Sequence, residues 1–553
     1  MSGKTNNLEF DYLVWRSFPT TQPTKSATLS SARASQLFIK LIILLSSISL
    51  SSLIFNSTMS QTKEMMVMFP FMAQGHINPF LALALRIEKT NKYTVAFVNT
   101  PLNIKELRSS IPSNSSILLL ELPFNSSDYG LPPNSENMNS VPSHLILNLF
   151  QASLSLKPDF RKLISNIIHQ QNGQIPVCII SDMFLGWCEE IAQEFGVFHA
   201  IFITGGGFGY ACFYSLWLNL PHRNTDSEEF ALPDFPEAPR FHVTQMMDVL
   251  RYADGSDSHS SFTRKALSQW SKADGILFNT VEGIDRLGLT YFRRKFGRQV
   301  WSVGPLLLTP GSQAQSKRDF GISEEECKNW LDKKPECSVL YVSFGSQNNT
   351  ISPSQMMQLA MALEASGKNF IWVVRPPLGF DINSEFRANE WLPEGFEERI
   401  RGLGRGLLVQ KWAPQVEILC HKSVSVFLSH CGWNSVLESL SHGVPMIGWP
   451  MAAEQFYNVK LLEDMIGVCV EVARGKSCEV FHEDIVAKIK LVMNESEKGK
   501  EMREKTLQVK EIINNAIKDE ENSKGVSMEA MDQFLKAALN MKLRGESKRE
   551  IQQ

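Results

Sequence analysis

The stretch Trp412–Gln455 reads WAPQVEILCHKSVSVFLSHCGWNSVLESLSHGVPMIGWPMAAEQ. Its central apolar run, Val424–Ser429, predicts a buried β-strand, and Cys431–Gly432 predict the turn that follows it. A helix is expected to begin near Asn434 and to end at Gly443, because glycine is common just beyond a helix C-terminus. A buried strand, a tight turn and a helix in this order are typical of a doubly wound α/β domain.

The side chains around this turn are suited to a nucleotide. Gly432 lets the backbone approach a ligand closely, and the N–H groups of Asn434 and Ser435 at the helix start form a phosphate seat. Glu438 lies one turn further along the same face, where a carboxylate can bind ribose hydroxyls. Trp412 offers a flat face for a base. Each residue alone has an ordinary structural explanation, in the core or as a helix cap, but together they predict a nucleotide site.

The rest of the chain alternates short apolar runs with helical stretches, in two blocks. Continuous β-branched runs indicate strands that are buried on both faces, and therefore mainly parallel sheets covered by helices. The first block has six predicted strands: Met65–Phe71, Tyr93–Asn99, Val177–Ser181, His199–Thr204, Gly275–Asn279 and Val300–Val303. The second block also has six: Ser338–Phe344, Phe370–Val374, Leu407–Lys411, Val424–Ser429, Val444–Gly448 and Val468–Val472. We therefore predict an α/β protein with two doubly wound, Rossmann-like domains that face each other across a cleft.

The divisions between these blocks follow from composition. The segment Thr309–Gly321 is rich in Pro, Gly, Ser and Gln without periodicity, which is typical of a linker. Residues 482–541 have a helical pattern, and Asn78–Thr90 is the predicted first crossover helix. The resulting segments are an extension at 1–58, a first domain at 59–308, a linker at 309–323, a second domain at 324–515, a C-terminal helix that packs back at 516–545 and a tail at 546–553.

Composition excludes several classes of protein. The 553 residues are 43% hydrophobic and 20% charged, close to the average for globular proteins, which excludes a disordered or collagen-like chain. A net charge of -3 produces no positive electrostatic field that would attract nucleic acid or an anionic membrane, so neither is an expected partner. Nine cysteines without a C-x-x-C spacing predict reduced thiols in a cytoplasmic protein and no metal site. No G-x-G-x-x-G fingerprint or P-loop occurs, and the absence of D-x-D argues against metal-bound sugar nucleotides.

The N-terminal extension has three possible explanations. Its apolar run Leu41–Phe55 is shorter than the ~20 residues that span a bilayer and is interrupted by serines, so no stable membrane span is expected. A basic, Ser-rich and acid-poor segment is also typical of transit peptides, and a basic end before an apolar run is typical of signal sequences. We favour the third explanation, a working start at Met59 with residues 1–58 as a disordered or upstream extension, because the folded pattern begins directly after it.

The stretch Trp412–Gln455 resembles the 44-residue signature box of the plant family 1 UDP-glycosyltransferases at nearly every defining position, and the layout from Met65 to residue 541 is similar to that family. The resemblance implies the GT-B fold, with an acceptor in residues 59–308 and a UDP-sugar in residues 324–515. It implies this donor site: Trp412, Ala413 and Gln415 for uridine; His430, Gly432, Asn434, Ser435 and Ser346 for the diphosphate; Glu438 for ribose; Trp433, Glu454 and Gln455 for the sugar. Many members have Asp where this chain has Glu454, and a final Gln is typical of glucose transfer.

The first block is expected to supply the chemistry. FPFMAQGHINPF places His76 on the loop after the first predicted strand, directly before a helix, and Asp182 ends another strand. A hydroxyl becomes a good nucleophile when a base removes its proton, and a histidine held by a carboxylate is suited to this near pH 7. The resemblance implies that His76 is the base and that Asp182 is its partner.

These features together predict an inverting transferase that moves a hexose, most simply glucose, from a UDP-sugar to a hydroxyl of a small hydrophobic acceptor such as a flavonoid, another phenolic or a terpenoid. The departing UDP would be stabilised by the N–H groups at the start of the predicted helix near Asn434, without a metal or other cofactor. The alternatives are UDP-xylose, UDP-galactose or UDP-rhamnose as donor, or a catalytically silent binder of the same fold. We expect a monomer. Four aromatic residues are candidates for the acceptor pocket, with core packing as the alternative: Phe71, Phe184, Trp187 and Phe208.

Overall fold

The structure is a computed structural model that describes residues 63–308, 321–345, 350–381, 384–476, 478–494, 496–520 and 523–552, with side chains up to 547. Four predictions therefore lie outside the described residues, wholly or in large part: the extension at 1–58 with its apolar run, the linker at 309–323 apart from its last three residues, the tail at 546–553 as far as its side chains are concerned, and the phosphate contact at Ser346.

Strands and helices alternate through both halves. The strands are β1 Glu64–Phe69, β2 Tyr93–Asn99, β3 Leu118–Glu121, β4 Cys178–Asp182, β5 Phe198–Ile203, β6 Glu229–Phe230, β7 Phe241–His242, β8 Gly275–Phe278, β9 Gln299–Ser302, β10 Val339–Ser343, β11 Asn369–Val374, β12 Gly406–Gln410, β13 Val424–Ser429, β14 Met446–Gly448, β15 Cys469–Glu471, β16 Asp519–Glu520 and β17 Ser523–Lys524.

The α-helices are α1 Gln74–Glu88, α2 Pro101–Arg108, α3 Ile146–Ser153, α4 Lys157–Gln170, α5 Cys188–Phe195, α6 Gly207–Asn219, α7 Asp248–Tyr252, α8 Ser258–Trp270, α9 Glu282–Phe296, α10 Glu324–Leu331, α11 Pro353–Ser366, α12 Ala388–Trp391, α13 Phe396–Gly402, α14 Gln415–Cys420, α15 Trp433–His442, α16 Gln455–Lys460, α17 His482–Met493, α18 Glu497–Ala516 and α19 Val526–Gln552. A π-helical turn, Leu461–Ile466, continues α16.

Two parallel sheets form the framework, as predicted. The first has the order β3-β2-β1-β4-β5-β8-β9 and the second has the order β12-β11-β10-β13-β14-β15, with every neighbouring pair parallel. Their central strands are buried and packed between helices, as the continuous apolar runs require. The prediction of two doubly wound Rossmann-like domains is therefore confirmed. Strand β3 was not predicted, because it is a four-residue edge strand that is only half-buried.

The first helix begins earlier than predicted. It starts at Gln74 rather than at Asn78, so His76 lies in its first turn and not on a preceding loop. Ile77 and Phe80 are buried in the core, and this packing holds the first turn helical although Pro79 removes one backbone donor inside the helix.

The C-terminal region is also less continuous than the helical pattern of residues 482–541 predicted. The short hairpin β16–β17 separates α18 from α19. The last helix then packs against the first sheet, where Phe534 is fully buried with its ring 5.5 Å from that of Trp301 and 6.2 Å from that of Phe198. None of the helices in the described ranges combines the length and the apolar character that crossing a membrane requires.

Helix α6 approaches α9 unusually closely. A Cβ added to Gly288 would lie 2.0 Å from backbone atoms of Gly207 and Phe208. Asp285 sits beside this contact and accepts hydrogen bonds from the N–H groups of Gly207 and Phe208 at the start of α6 and, at 2.9 Å, from Thr280 Oγ1. Burial raises the pKa of Asp285 to about 7, although these donors oppose the shift. The position of α6 thus depends on two small residues and one buried carboxyl group.

We expect Gly288→Ala to destabilise the protein by about 2 kcal/mol, because the new methyl group must push two packed helices apart. Gly402→Ala is the matched control: Gly402 ends a surface helix, and a Cβ there meets nothing within 4 Å. Urea unfolding followed by circular dichroism measures both changes. Equal stability of Gly288→Ala and Gly402→Ala would contradict the close approach of α6 to α9.

Candidate active site

A cleft of about 420 Å³ lies between the carboxyl ends of the two sheets. In parallel α/β sheets this edge is where ligands bind, because loops and helix starts converge there. Residues one or two positions after strands of the second sheet line the cleft: Gly345 after β10, Arg375 after β11, Trp412 after β12 and His430 after β13. From the first half, the start of α1 and residues of α3, α6 and α8 contribute to the walls.

His76 and Asp182 meet at the end of the first sheet. Strands β1 and β4 are neighbours in register, with Phe69 opposite Ser181, so the residues that follow them lie side by side. His76 Nδ1 is 2.7 Å from Asp182 Oδ2, and the aspartate is completely buried. The aspartate's other oxygen accepts from the Phe184 N–H at 3.1 Å, which fixes the carboxylate. With Nδ1–H donated to Asp182, the second ring nitrogen of His76 carries the lone pair in the neutral imidazole.

The charge state of His76 is set by opposing effects. Burial lowers the pKa of His76, but the negative charge of Asp182, the hydrogen bond to it and the more distant charge of Glu454 together outweigh burial. The net result is a pKa raised above the usual 6.5. His76 is therefore a stronger base than an ordinary histidine.

Aromatic side chains form the wall beside His76. The rings of Phe71 and Phe184 lie 6.0 Å and 5.6 Å from the imidazole, and Phe150 stacks on Phe71 at 4.8 Å. Of the four aromatic candidates for the acceptor pocket, Phe184 lines the cleft, and Phe71 packs directly behind it.

The other two candidates belong to the core instead. Trp187 packs against Phe69 and Phe160, and Phe208 packs against Phe235. Most of the cleft's apolar lining was not predicted, because it comes from distant helices and loops: Ile146, Phe150, Tyr210, Phe213, Trp217 and Phe262.

His430 sits at the turn between β13 and α15. Added Cβ atoms on Gly345 and Gly432 would each lie 2.5 Å from its ring, so both positions require glycine for the imidazole to fit. Burial, and then the positive charge of Arg375, lower the pKa of His430 to about 4. His430 is therefore neutral at pH 7 and contributes a hydrogen-bonding group rather than a charge. Its Nδ1 is buried and has no hydrogen-bond partner among the described residues.

Gln415, predicted to bind uridine, is hydrogen-bonded to one residue predicted for the diphosphate and one predicted for ribose. Its Nε2 donates to Ser435 Oγ at 2.9 Å and to Glu438 Oε2 at 2.6 Å, and its Oε1 accepts from the Tyr341 hydroxyl at 3.2 Å. The network holds the Glu438 carboxylate at the cleft wall, one turn after the start of α15.

Arg375 was missed by the sequence analysis. Its guanidinium carbon lies 4.6 Å from the centre of the Trp412 ring, and its Nε donates to the Lys411 carbonyl at 3.1 Å. A cation therefore covers one face of the half-buried tryptophan. The feature of the sequence that could have indicated Arg375 as a cleft residue is its position directly after a predicted strand.

The start of α15 also contacts the other half of the protein. Trp433 is buried and donates its indole N–H to the Asn279 carbonyl at 2.7 Å, while Asn434 Nδ2 donates to the Gly75 carbonyl at 3.0 Å.

The two residues predicted to bind the sugar lie further along the chain. Gln455 Oε1 accepts from the N–H groups of Met451 and Ala452 at 2.9 and 3.0 Å. Burial raises the pKa of Glu454, which is partly offset by His76 across the cleft.

The structure thus brings the predicted site residues together at one cleft. Those that line it are His76, Trp412, Ala413, Gln415, His430, Gly432, Trp433, Asn434, Ser435, Glu438, Glu454 and Gln455. Asp182 stands behind His76, and Ser346 lies outside the described residues.

Comparisons with known proteins agree with this architecture. Residues 63–308 match the family described as glycosyltransferase, N-terminal domain, and residues 310–511 match UDP-glucoronosyl and UDP-glucosyl transferase. The chain is 54% identical over 483 residues to UDP-glycosyltransferase 92A1 of Arabidopsis thaliana, a match that covers 86% of this chain and 97% of that protein. The chain belongs to the plant family 1 UDP-glycosyltransferases.

Solved structures of other plant UDP-glycosyltransferases share its GT-B fold. The Glycyrrhiza uralensis UGT73P12 complexed with glycyrrhetinic acid 3-O-monoglucuronide has a TM-score of 0.75 at 28% identity and covers 89% of this chain and 99% of its own. The Medicago truncatula UGT71G1 complexed with UDP-glucose has a TM-score of 0.70 at 25% identity and covers 86% and 98%. This chain is therefore a GT-B glycosyltransferase enzyme.

We expect Asp182→Asn in this transferase to lower the pKa of His76. The substitution removes the charge that raises the pKa and leaves burial, which lowers it. A pH titration of the His76 ring signals by NMR measures the change. Asp332→Asn is the control, because Asp332 faces His421 in an exposed pair at 3.1 Å outside the cleft. A His76 pKa that does not fall in Asp182→Asn would contradict this account of the pair.

Proposed function

We propose that this transferase moves glucose from UDP-glucose to a hydroxyl group of a small hydrophobic acceptor, with inversion at the anomeric carbon and with His76 as general base. The observation that carries the proposal is the buried 2.7 Å contact between His76 Nδ1 and Asp182 Oδ2 at the cleft wall. It holds the imidazole in the form whose second nitrogen can accept a proton.

In the proposed reaction, the acceptor oxygen attacks the anomeric carbon while the second nitrogen of His76 takes its proton. A carbon–oxygen bond to the sugar forms on one face, and the bond to the UDP oxygen breaks on the other. The imidazolium is stabilised by Asp182, and UDP departs with the bonding electron pair. Because the base must be neutral, the rate should rise with pH through the raised pKa of His76.

The opposite wall is suited to the departing diphosphate. The backbone N–H groups at the start of α15 have no partner within the helix, and they present the positive end of the helix dipole. Arg375 adds a full positive charge beside Trp412, and neutral His430 can donate a hydrogen bond. Developing charge on UDP would thus be stabilised by groups that are already in place, without a metal in the proposed route.

Glu454 and Gln455 support a hexose as the transferred group. Because Gln455 Oε1 is occupied by two backbone N–H groups, its Nε2 is the atom left to donate to a sugar hydroxyl. The buried Glu454 carboxyl lies beside it at the cleft. The UDP-glucose complex of the Medicago truncatula relative supports glucose over UDP-xylose, UDP-galactose or UDP-rhamnose, which remain the alternative donors.

The acceptor side favours a hydrophobic, ring-containing molecule. Phe150, Phe184, Phe213 and Trp217 supply flat apolar surface in the cleft that His76 lines. Such surface is suited to the ring system of a flavonoid, another phenolic or a terpenoid. A donor-by-acceptor screen with mass detection of products tests donor and acceptor together. If neither UDP nor a glycoside is released with any of the donors and acceptors offered, the result would favour the catalytically silent alternative.

We expect His76→Ala to lower kcat for glucosyl transfer by about 10²- to 10⁴-fold, because the acceptor hydroxyl loses its base. Binding of UDP should stay within a few fold, since the donor wall is unchanged. His421→Ala is the matched control, a second histidine paired with an aspartate but placed outside the cleft. Transfer rates that are equal in His76→Ala and wild-type protein would refute the base assignment.

We expect Trp412→Ala to weaken binding of both UDP and UDP-glucose by about 5- to 100-fold, because stacking of a base on an aromatic ring is worth about 1–3 kcal/mol. Isothermal titration calorimetry measures the change. Trp330→Ala is the control, because Trp330 also carries a cation, Lys334 Nζ at 4.4 Å, but does not line the cleft. Unchanged affinity in Trp412→Ala would show that the uracil does not stack there.

A further inference from the structure

A proline in α1 leaves one backbone carbonyl without its helical donor. In an α-helix, the N–H of residue i donates to the carbonyl of residue i−4, so the partner of the Gly75 carbonyl would be the N–H of residue 79. Residue 79 is proline and has no N–H. Gly75 directly precedes His76 in the first turn of α1, so the missing hydrogen bond weakens the turn that carries the base.

Asn434 replaces the missing donor from across the cleft. Its Nδ2 donates to the Gly75 carbonyl at 3.0 Å, a contact that joins residues 359 positions apart in the sequence. The amide cannot be reversed without placing two oxygens against each other, which fixes the orientation of the side chain. Its Oδ1 is buried and has no hydrogen-bond partner among the described residues.

The two halves are held together at this point by two neighbouring donors. Trp433 donates its indole N–H to the Asn279 carbonyl at 2.7 Å, one residue before Asn434. The helix start that faces the donor diphosphate in the proposed function is thus fixed against the turn that holds the base. An amide nitrogen carries two hydrogens, so Nδ2 can contact Gly75 and a phosphate oxygen together.

We infer that Asn434 is a positioning residue for His76: it restores the hydrogen bond that Pro79 removes from the first turn of α1 and so ties the general base to the donor-binding helix. The inference rests on the proposed function for its catalytic meaning. The part of the inference that concerns structure, that Asn434 orders the turn around Gly75, does not depend on whether the protein transfers glucose.

The first test is hydrogen–deuterium exchange on the full chain, saturated with UDP, in peptides that span residues 72–83. Asn434→Ala should speed exchange in this turn by about tenfold or more and should lower kcat for transfer by about 10- to 100-fold, because a small displacement of a base is costly. Ser435→Ala is the matched control. Its hydroxyl accepts from Gln415 within the second half, so exchange near Gly75 should stay at the wild-type rate. If Asn434→Ala does not fold, Asn434→Ser, which is too short to reach Gly75, takes its place.

The second test is a rescue experiment. Rescue would not be expected if Asn434 acted only by contacting a phosphate. Pro79→Ala supplies the N–H that Gly75 lacks, so the double variant Asn434→Ala with Pro79→Ala should regain slow exchange and at least part of the lost kcat. Its affinity for UDP should stay at the level of Asn434→Ala, and Pro79→Ala alone reports the effect of the proline itself.

The inference is overturned if exchange around Gly75 is the same in Asn434→Ala and wild-type protein, or if Pro79→Ala restores neither protection nor kcat. A wild-type enzyme that transfers no glucose would instead refute the proposed function, and the exchange results would still decide whether Asn434 orders this turn.

Discussion

The buried contact between His76 and Asp182 depends on β1 and β4 being neighbours in a parallel sheet. Only that arrangement brings the ends of two strands, more than a hundred residues apart in sequence, to adjacent positions at one edge. The cost of burying a carboxylate is offset by its hydrogen bonds to the imidazole and to the Phe184 N–H. The same edge exposes the helix starts and loops that line the cleft. The position of the site therefore follows from the topology of the sheet.

The two walls of the cleft have different electrostatics. On the first, a buried carboxylate raises the pKa of a histidine, whereas on the second, burial and Arg375 lower the pKa of His430 to about 4. Their surroundings thus make His76 a stronger base and make His430 a neutral hydrogen-bonding group. This division suits the proposed transfer, in which a proton is collected on one side and negative charge develops on the other.

Sequence patterns were sufficient for most of the framework. Twelve predicted strands appear at or within a few residues of their predicted positions, because continuous buried runs are a strong signal for parallel sheets. The missed features have weak local signals. Strand β3 is short and half-exposed, and the first turn of α1 is helical because Ile77 and Phe80 are buried, which overrides the local effect of Pro79.

The sequence alone determined the family, the two-domain parallel architecture and which residue types would gather at the strand ends, because apolar periodicity and the 44-residue box are local properties of the chain. Tertiary structure decided what those residues do to one another. The contact of Asn434 with Gly75, the cation above Trp412 and the tight fit of His430 between two glycines join residues that are distant in sequence. Such contacts depend on how the halves pack, and no local pattern encodes that geometry.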